Sequence, residues 1–262
     1  MSKRKPAKPN RSRLPNLETV AAFAVVNETV VFVKKNILSN QIRRDGPKVA
    51  KSFDRLTKTE IAECSEVFAR VQATLLGAIG SSKPESFEST FGRLMASALN
   101  SYLAAIEVAR HGLKRQFGAN ARMAVEAAAT ALSVATEPTA LDKFHDGKLS
   151  STKCITYGKR SFPLIGELYG FLSNEFVHIG TAHSMLEFPS EYQRDDVALG
   201  LLVSMMKTLI LVLEVVADLA KVHLGGQSKY WFRNGEGWSF DPSDETREWI
   251  GEFCQLEKLQ RA

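Results

Sequence analysis

Glu175 and His178 stand three residues apart, the spacing that makes two side chains neighbours on the surface of one helix. A carboxylate beside an imidazole orients it as a general base, or the two together ligate a metal. Both belong to the segment Tyr169-Gly-Phe-Leu-Ser-Asn-Glu-Phe-Val-His178, in which Asn174 adds a polar amide. On a helix turning about 100° per residue, Leu164, Leu168, Phe171, Leu172, Phe176 and Ile179 form one apolar arc, and Glu175 falls inside it. Asn174 and His178 lie at its edge. An isolated buried carboxylate is costly, so Glu175 is expected to be paired, protonated or working. His183 follows beyond Gly180, where the helix is expected to end, and His-x4-His is not a usual metal spacing. No metal and no cofactor are therefore expected.

A second helix offers the complement. Arg122 and Glu126 are four apart on a stripe with Ala129 and Ser133, surrounded by alanines. Small residues let another helix come close, and a buried Arg is tolerable when a carboxylate answers it. The expectation is an inter-helix polar cluster of Arg122, Glu126, Glu175 and His178, with Asn174 beside it. It reads equally as a catalytic set or as a structural network fixing the register of two helices.

Arg-x3-Glu at Arg122–Glu126, followed by Tyr-x2-Leu-Ser-Asn-x3-His from Tyr169 to His178, resembles a group of uncharacterised all-helical bacterial proteins. These are similar in outline to the HEPN-type bundles of toxin and phage-defence systems, over roughly Leu94 to Leu219. HEPN ribonucleases place an Arg, a polar spacer and a His within a few positions on one helix. His178 and Asn174 match the last two roles, whereas no Arg lies four to six residues before His178. The resemblance implies RNA as substrate, His178 as general base and Arg122 stabilising phosphate charge from the neighbouring helix. It also implies a homodimer that completes the site.

The elements that must position these residues read as helices almost throughout. Helices are expected over Leu17–Leu38 (where β-branched residues also allow a strand), from the capping-box spacing Thr57-Lys-Thr-Glu60 to Gly80, and from Pro84 or Ser86 to Arg110. Others are expected over Ala119–Ala135, from Pro163, and over Tyr192–His223, which Gly225-Gly226 ends. Residues Asp146–Ser161 read as a loop. Asn234-Gly235 between aromatic runs signals a short hairpin, and a last short helix runs from Pro242 to about Leu259. The expected fold is all-α: a bundle of about six long helices over 17–225, with a C-terminal appendage over 226–262 packing on it. The aromatic cluster Tyr230–Phe240 is read as a lid on the core more readily than as a base-stacking surface.

Composition narrows the classes further. With 262 residues, 44% of them hydrophobic, the chain can bury one large core or two small ones. The net charge of +5 suggests a nucleic-acid binder until it is located: Lys3, Arg4, Lys5, Lys8, Arg11 and Arg13 supply six cations, so the remainder carries −1. That basicity belongs to a tail over residues 1–16, which is too polar and proline-rich to order itself. It is read as a solvated extension able to touch phosphates or an acidic partner. No apolar stretch follows it as a secretory signal requires. Cys64, Cys154 and Cys254 are widely spaced and form no Cys-x-x-Cys pair, which fits a cytoplasmic setting.

Val197–Leu219 is long and apolar enough to suggest a membrane span, but Lys207, Glu214 and Asp218 interrupt it. With Ser204 and Lys221 they form one polar stripe, the pattern of a central bundle helix with one face near solvent, and no membrane partner is expected. The segments contain no nucleophile elbow, phosphate-binding loop or dinucleotide fingerprint. Two functions remain: a defence- or toxin-like protein acting on RNA, or a non-enzymatic module that binds a protein partner or a small molecule.

Overall fold

The computed structural model describes residues 17–26, 29–80, 83–180, 188–235 and 237–254, and these form a mostly all-α, multi-helix fold with two small two-stranded sheets. The tail expected over 1–16, and His183, lie outside the described residues. The chain divides into two units, residues 1–48 and 49–262.

The first unit corrects the helix expected over Leu17–Leu38. After a short turn, β1 (Val20–Val26) pairs antiparallel with β2 (Thr29–Lys34). Val, Phe and Thr fill most of β2, and their restricted side chains suit a pleated surface better than a helix. Length favoured helix only because two strands of six or seven residues, laid end to end, are as long as one. Phe23 faces Phe32 and Val25 faces Val30, which puts these four on one face of the hairpin, while Ala24 opposite Val31 occupies the other. Phe23 is 70% exposed and Val25 67%. The one-turn helix α1 (Ile37–Asn40) and a π-helical turn (Gln41–Asp45) follow, with Ile37, Leu38 and Ile42 also exposed.

The second unit is a helical core. α2 (Gly46–Leu56) ends at Thr57, whose hydroxyl donates to the Phe53 carbonyl at 2.9 Å. Thr57 thus closes α2 with its side chain, while its carbonyl accepts from the Ile61 N–H at 2.9 Å and opens α3 (Lys58–Gly80) where the helix was expected. α4 (Phe87–Arg110) starts at Ser86, whose Oγ accepts from the Ser89 N–H at 3.2 Å. Gly112, at φ +76°, then turns the chain sharply into α5 (Lys114–Thr136), which begins five residues earlier than expected. A side chain at Gly112 would be strained and would press on Pro189, 3.0 Å from the position of its Cβ. α4 and α5 form the most extensive helix pair, α5 through a run of buried alanines.

α6 (Ala140–His145) is short, and the loop expected up to Ser161 is instead the helix α7 (Ser151–Ser161). The Ser150 hydroxyl caps α7, and Cys154, Ile155 and Gly158 make a narrow buried stripe too sparse to stand out among Ser, Thr and Lys. α8 (Pro163–Leu172) packs on α5 and α7, and α9 (Val197–His223) on α3, α4 and α5. The expected helix start at Tyr192 is a buried loop residue, its hydroxyl donating to the Ala109 carbonyl at 2.6 Å. α9 is apolar enough to cross a membrane, but 72% of its most apolar window is buried within the fold, as in a core helix. β3 (Trp231–Asn234) and β4 (Gly237–Phe240) form the expected aromatic hairpin, and α10 (Asp244–Cys254) follows.

Candidate functional site

Arg122 on α5 and Tyr169 on α8 form the closest link between the two motif helices. Arg122 Nη2 donates to the Tyr169 hydroxyl at 2.7 Å, and Nε donates to Glu126 Oε1 at 3.1 Å, one turn along α5. The guanidinium carbon also lies 4.8 Å from the centre of the Tyr169 ring. All three side chains are half-buried. The trio fixes α8 against α5 with one charge pair and one charged hydrogen bond.

The other three expected members do not join it. α8 passes into a π-helical turn over Ser173–Val177, closed by the His178 N–H on the Ser173 carbonyl at 2.8 Å, five residues back. A π turn holds one more residue per turn than an α-helix, so the arc drawn at α-helical pitch falls out of phase at Ser173. Glu175, expected inside the core, is exposed, as are Asn174 and His178. Phe176 turns inward instead, its ring 6.5 Å from that of Phe117 on α5. Gly118 makes this possible, because a Cβ there would fall 2.2 Å from Phe176 Cβ. The side-chain partners of Arg122 among the described residues are Glu126 and Tyr169, and His178 is not one of them. Asn174, Glu175 and His178 make no side-chain hydrogen bond or ion pair among the described residues.

A second polar site lies on α9, where the stripe was expected near solvent. Lys207 is 2% exposed, Glu214 8% and Asp218 1%. The stripe faces α3 and the segment after α9, which supply its partners. Glu63 on α3 pairs with Lys207, and Arg70 Nε on α3 donates to Glu214 Oε1 at 2.7 Å. Asp218 Oδ2 accepts from Ser228 Oγ at 2.6 Å and from the backbone N–H groups of Lys229 and Tyr230 at 2.7 and 3.1 Å. Its Oδ1 accepts from Lys221 at 2.8 Å.

The sequence carried the signal for this site: three charges on one face of an otherwise apolar helix demand partners. It could not show which elements supplied them. Burial and the nearby Glu214 carboxylate raise the Tyr230 hydroxyl above the usual phenol range. Glu214 Oε2 and the Tyr230 hydroxyl are both buried without a well-formed hydrogen bond. Burial likewise pushes the Cys254 thiol up to about 11 and raises Cys64.

Glu63, Glu66 and Arg70 of α3, Lys207 of α9, and Trp249, Glu252 and Phe253 of α10 border a cavity of about 280 Å³. No group of three His, Cys, Asp or Glu side chains suited to a metal ion occurs among the described residues. The architecture is that of a multi-helix, mostly all-α protein. No protein-family model, curated protein or solved structure matches this chain, so the HEPN-like resemblance rests on its motifs alone.

Proposed function

We propose that this chain is a non-enzymatic helical module that works by association, and that the β1–β2 hairpin is its contact surface. The observation that carries this reading is the exposure of apolar side chains on both faces of a two-stranded hairpin. Such a hairpin is marginal in water by itself, and three or more strands or a packed face are needed to stabilise it. β1 carries no charge and no proline from Val20 to Val26, so its outer edge lacks the devices that keep strands apart. The occupant is a second copy of this chain. Val20-Ala-Ala-Phe-Ala-Val-Val26 reads nearly the same in both directions about Phe23, so antiparallel pairing of two copies sets Phe23 on Phe23 and Ala22 on Ala24. Phe23, Val25, Val30, Val31, Ile37, Leu38 and Ile42 are between 44% and 70% exposed, an apolar surface for a partner to cover. Three free, buried cysteines favour a reducing compartment such as the cytoplasm.

The test is oligomeric mass by light scattering for the wild type and for Phe23→Lys/Val25→Lys. A wild-type dimer that becomes monomeric in the variant supports the reading. A wild type that stays monomeric at high concentration sinks it.

A second reading, action on RNA, draws on the π-helical turn, because such turns recur at functional sites and this one holds Asn174, Glu175 and His178 in solvent. In it His178 is the general base, and Arg122 positions α8 without touching phosphate. Purified protein should then cleave RNA, and His178→Ala should abolish the cleavage. Cleavage unaffected by His178→Ala, or no cleavage by the wild type, removes this reading.

A further inference from the structure

Beyond the basic tail the chain carries −1 in all, but that charge is not spread evenly. From Gly147 to Gly166 stand four cations, Lys148, Lys153, Lys159 and Arg160, and no acidic residue. Lys153, Tyr157 and Arg160 are four and three residues apart on α7, so cation, ring and cation share one face over about 10 Å. The Arg160 guanidinium carbon lies over the Tyr157 ring, 5.6 Å from its centre. Lys153 and Arg160 are exposed, and Tyr157 is half-buried. At one end of this stripe, Lys153 and Tyr157 border a cavity of about 250 Å³ together with Thr139, Lys143 of α6 and Lys148. Glu137 is the one acidic side chain on that border, against three lysines. Lys143, Lys153 and Arg160 form no ion pair among the described residues. Lys148 does pair with Asp146 at 2.8 Å, but both side chains are more than half exposed, and such a pair contributes little and exchanges readily for another anion.

A partner matching this face carries a row of negative charges with flat rings between them. An anionic membrane supplies the charges, but it also takes up exposed apolar side chains, and no large hydrophobic side chain over residues 137–161 is exposed. A nucleic-acid duplex supplies them too, but its bases are already stacked on one another and leave Tyr157 unused. We infer that this face binds single-stranded nucleic acid, its phosphates on Lys143, Lys148, Lys153 and Arg160 and one base against Tyr157 at the cavity. The pairing of a cationic track with an aromatic ring is what strand binding without sequence preference requires. The face lies wholly within residues 49–262, and it needs neither the hairpin nor His178.

The experiment is fluorescence anisotropy of a labelled oligodeoxythymidylate of about 12 nucleotides, titrated with the full chain between about 50 and 200 mM salt. A DNA probe keeps the result separate from any cleavage of RNA. The expected result is saturable binding that Lys153→Gln/Arg160→Gln weakens about tenfold, with the salt slope reduced by about 1.4 for the two lost phosphate contacts. Both of those side chains are exposed, so the fold is not at stake. Tyr157→Ala should weaken binding at least about fivefold and leave the salt slope unchanged, because it removes stacking and no charge. A duplex of the same length should bind at least about fivefold more weakly than the single strand. Binding that survives both variants belongs to the basic tail and overturns the proposal. So does an oligonucleotide that fails to bind at about 100 μM protein, whether or not phosphatidylserine vesicles bind in its place.

Discussion

Asp218 accepts the backbone N–H of Lys229 at 2.7 Å while its other oxygen accepts from Lys221 at 2.8 Å, so a single buried carboxylate ties the end of α9 to the start of the C-terminal segment. Removing it strands the Lys229 N–H and the Ser228 hydroxyl proton, and leaves the Tyr230 N–H only its bond to Ser228 Oγ at 3.2 Å. Asp218→Ala should cost roughly 2–4 kcal/mol in denaturant unfolding. Hydrogen exchange at β3 and β4 should accelerate more than at α4 and α5. Uniform acceleration would mean that Asp218 supports the whole core and not this joint.

The Lys207–Glu63 pair should respond asymmetrically to its two deletions. Glu63→Gln leaves a buried ammonium without its counter-charge and should destabilise by roughly 1–3 kcal/mol, the lower part of the range for buried pairs because Glu63 is itself partly exposed. Lys207→Met removes the buried charge and should be neutral or stabilising. Equal losses from both, measured by urea midpoints, would contradict this account.

Alkaline pH should weaken the fold. The Cys254 thiol is held near 11 in the native state, and Cys64 is also raised, both chiefly by burial. An unfolded thiol ionises at a lower pH, so between about 9 and 11 the unfolded chain has released protons that the native one retains. Stability is therefore complete below about pH 8.5 and declines as pH rises toward 11. Tyr102 and Tyr230, raised by burial, add to the loss at the upper end. Urea midpoints at pH 7.5 and pH 10.5 should show the decline, and Cys64→Ala/Cys254→Ala should reduce it. A pH-independent midpoint would contradict the burial of these thiols.

Gly118 should be intolerant of a single methyl group. Gly118→Ala drives a Cβ into Phe176 and should cost about 1–3 kcal/mol. Adding Phe176→Ala removes the obstacle, so the double variant should lose less than the sum of the single changes. Additive losses would show that Phe176 does not rest on Gly118.

The long helices were readable because their apolar residues recur at helical period over five or more turns, as in α3 and α4. The short elements were not. α7 shows only a thin buried stripe, and the β1–β2 hairpin has the length of one helix. At the candidate site the Arg122–Glu126 spacing gave the pair on α5, but a wheel at fixed pitch could not foresee the π turn that carries Glu175 out to solvent. The charged residues of α9 were visible as a stripe and assigned to the wrong surroundings. A wheel gives the direction of a side chain about its own helix, and Glu63 and Arg70 arrive from a segment more than 130 residues earlier.

That distance has a consequence for the order in which a nascent chain can complete itself. Arg70 emerges from the ribosome 144 residues before Glu214, and Asp218 comes before the Ser228–Tyr230 strap that satisfies it. Throughout that interval it is α3 that carries unanswered charges; when α9 emerges, Lys207 and Glu214 meet partners already made, and only Asp218 waits for Ser228, 10 residues further on. The ionic stripe is thus completed from both sides of the sequence, first by a helix made long before it and last by the strap made directly after it.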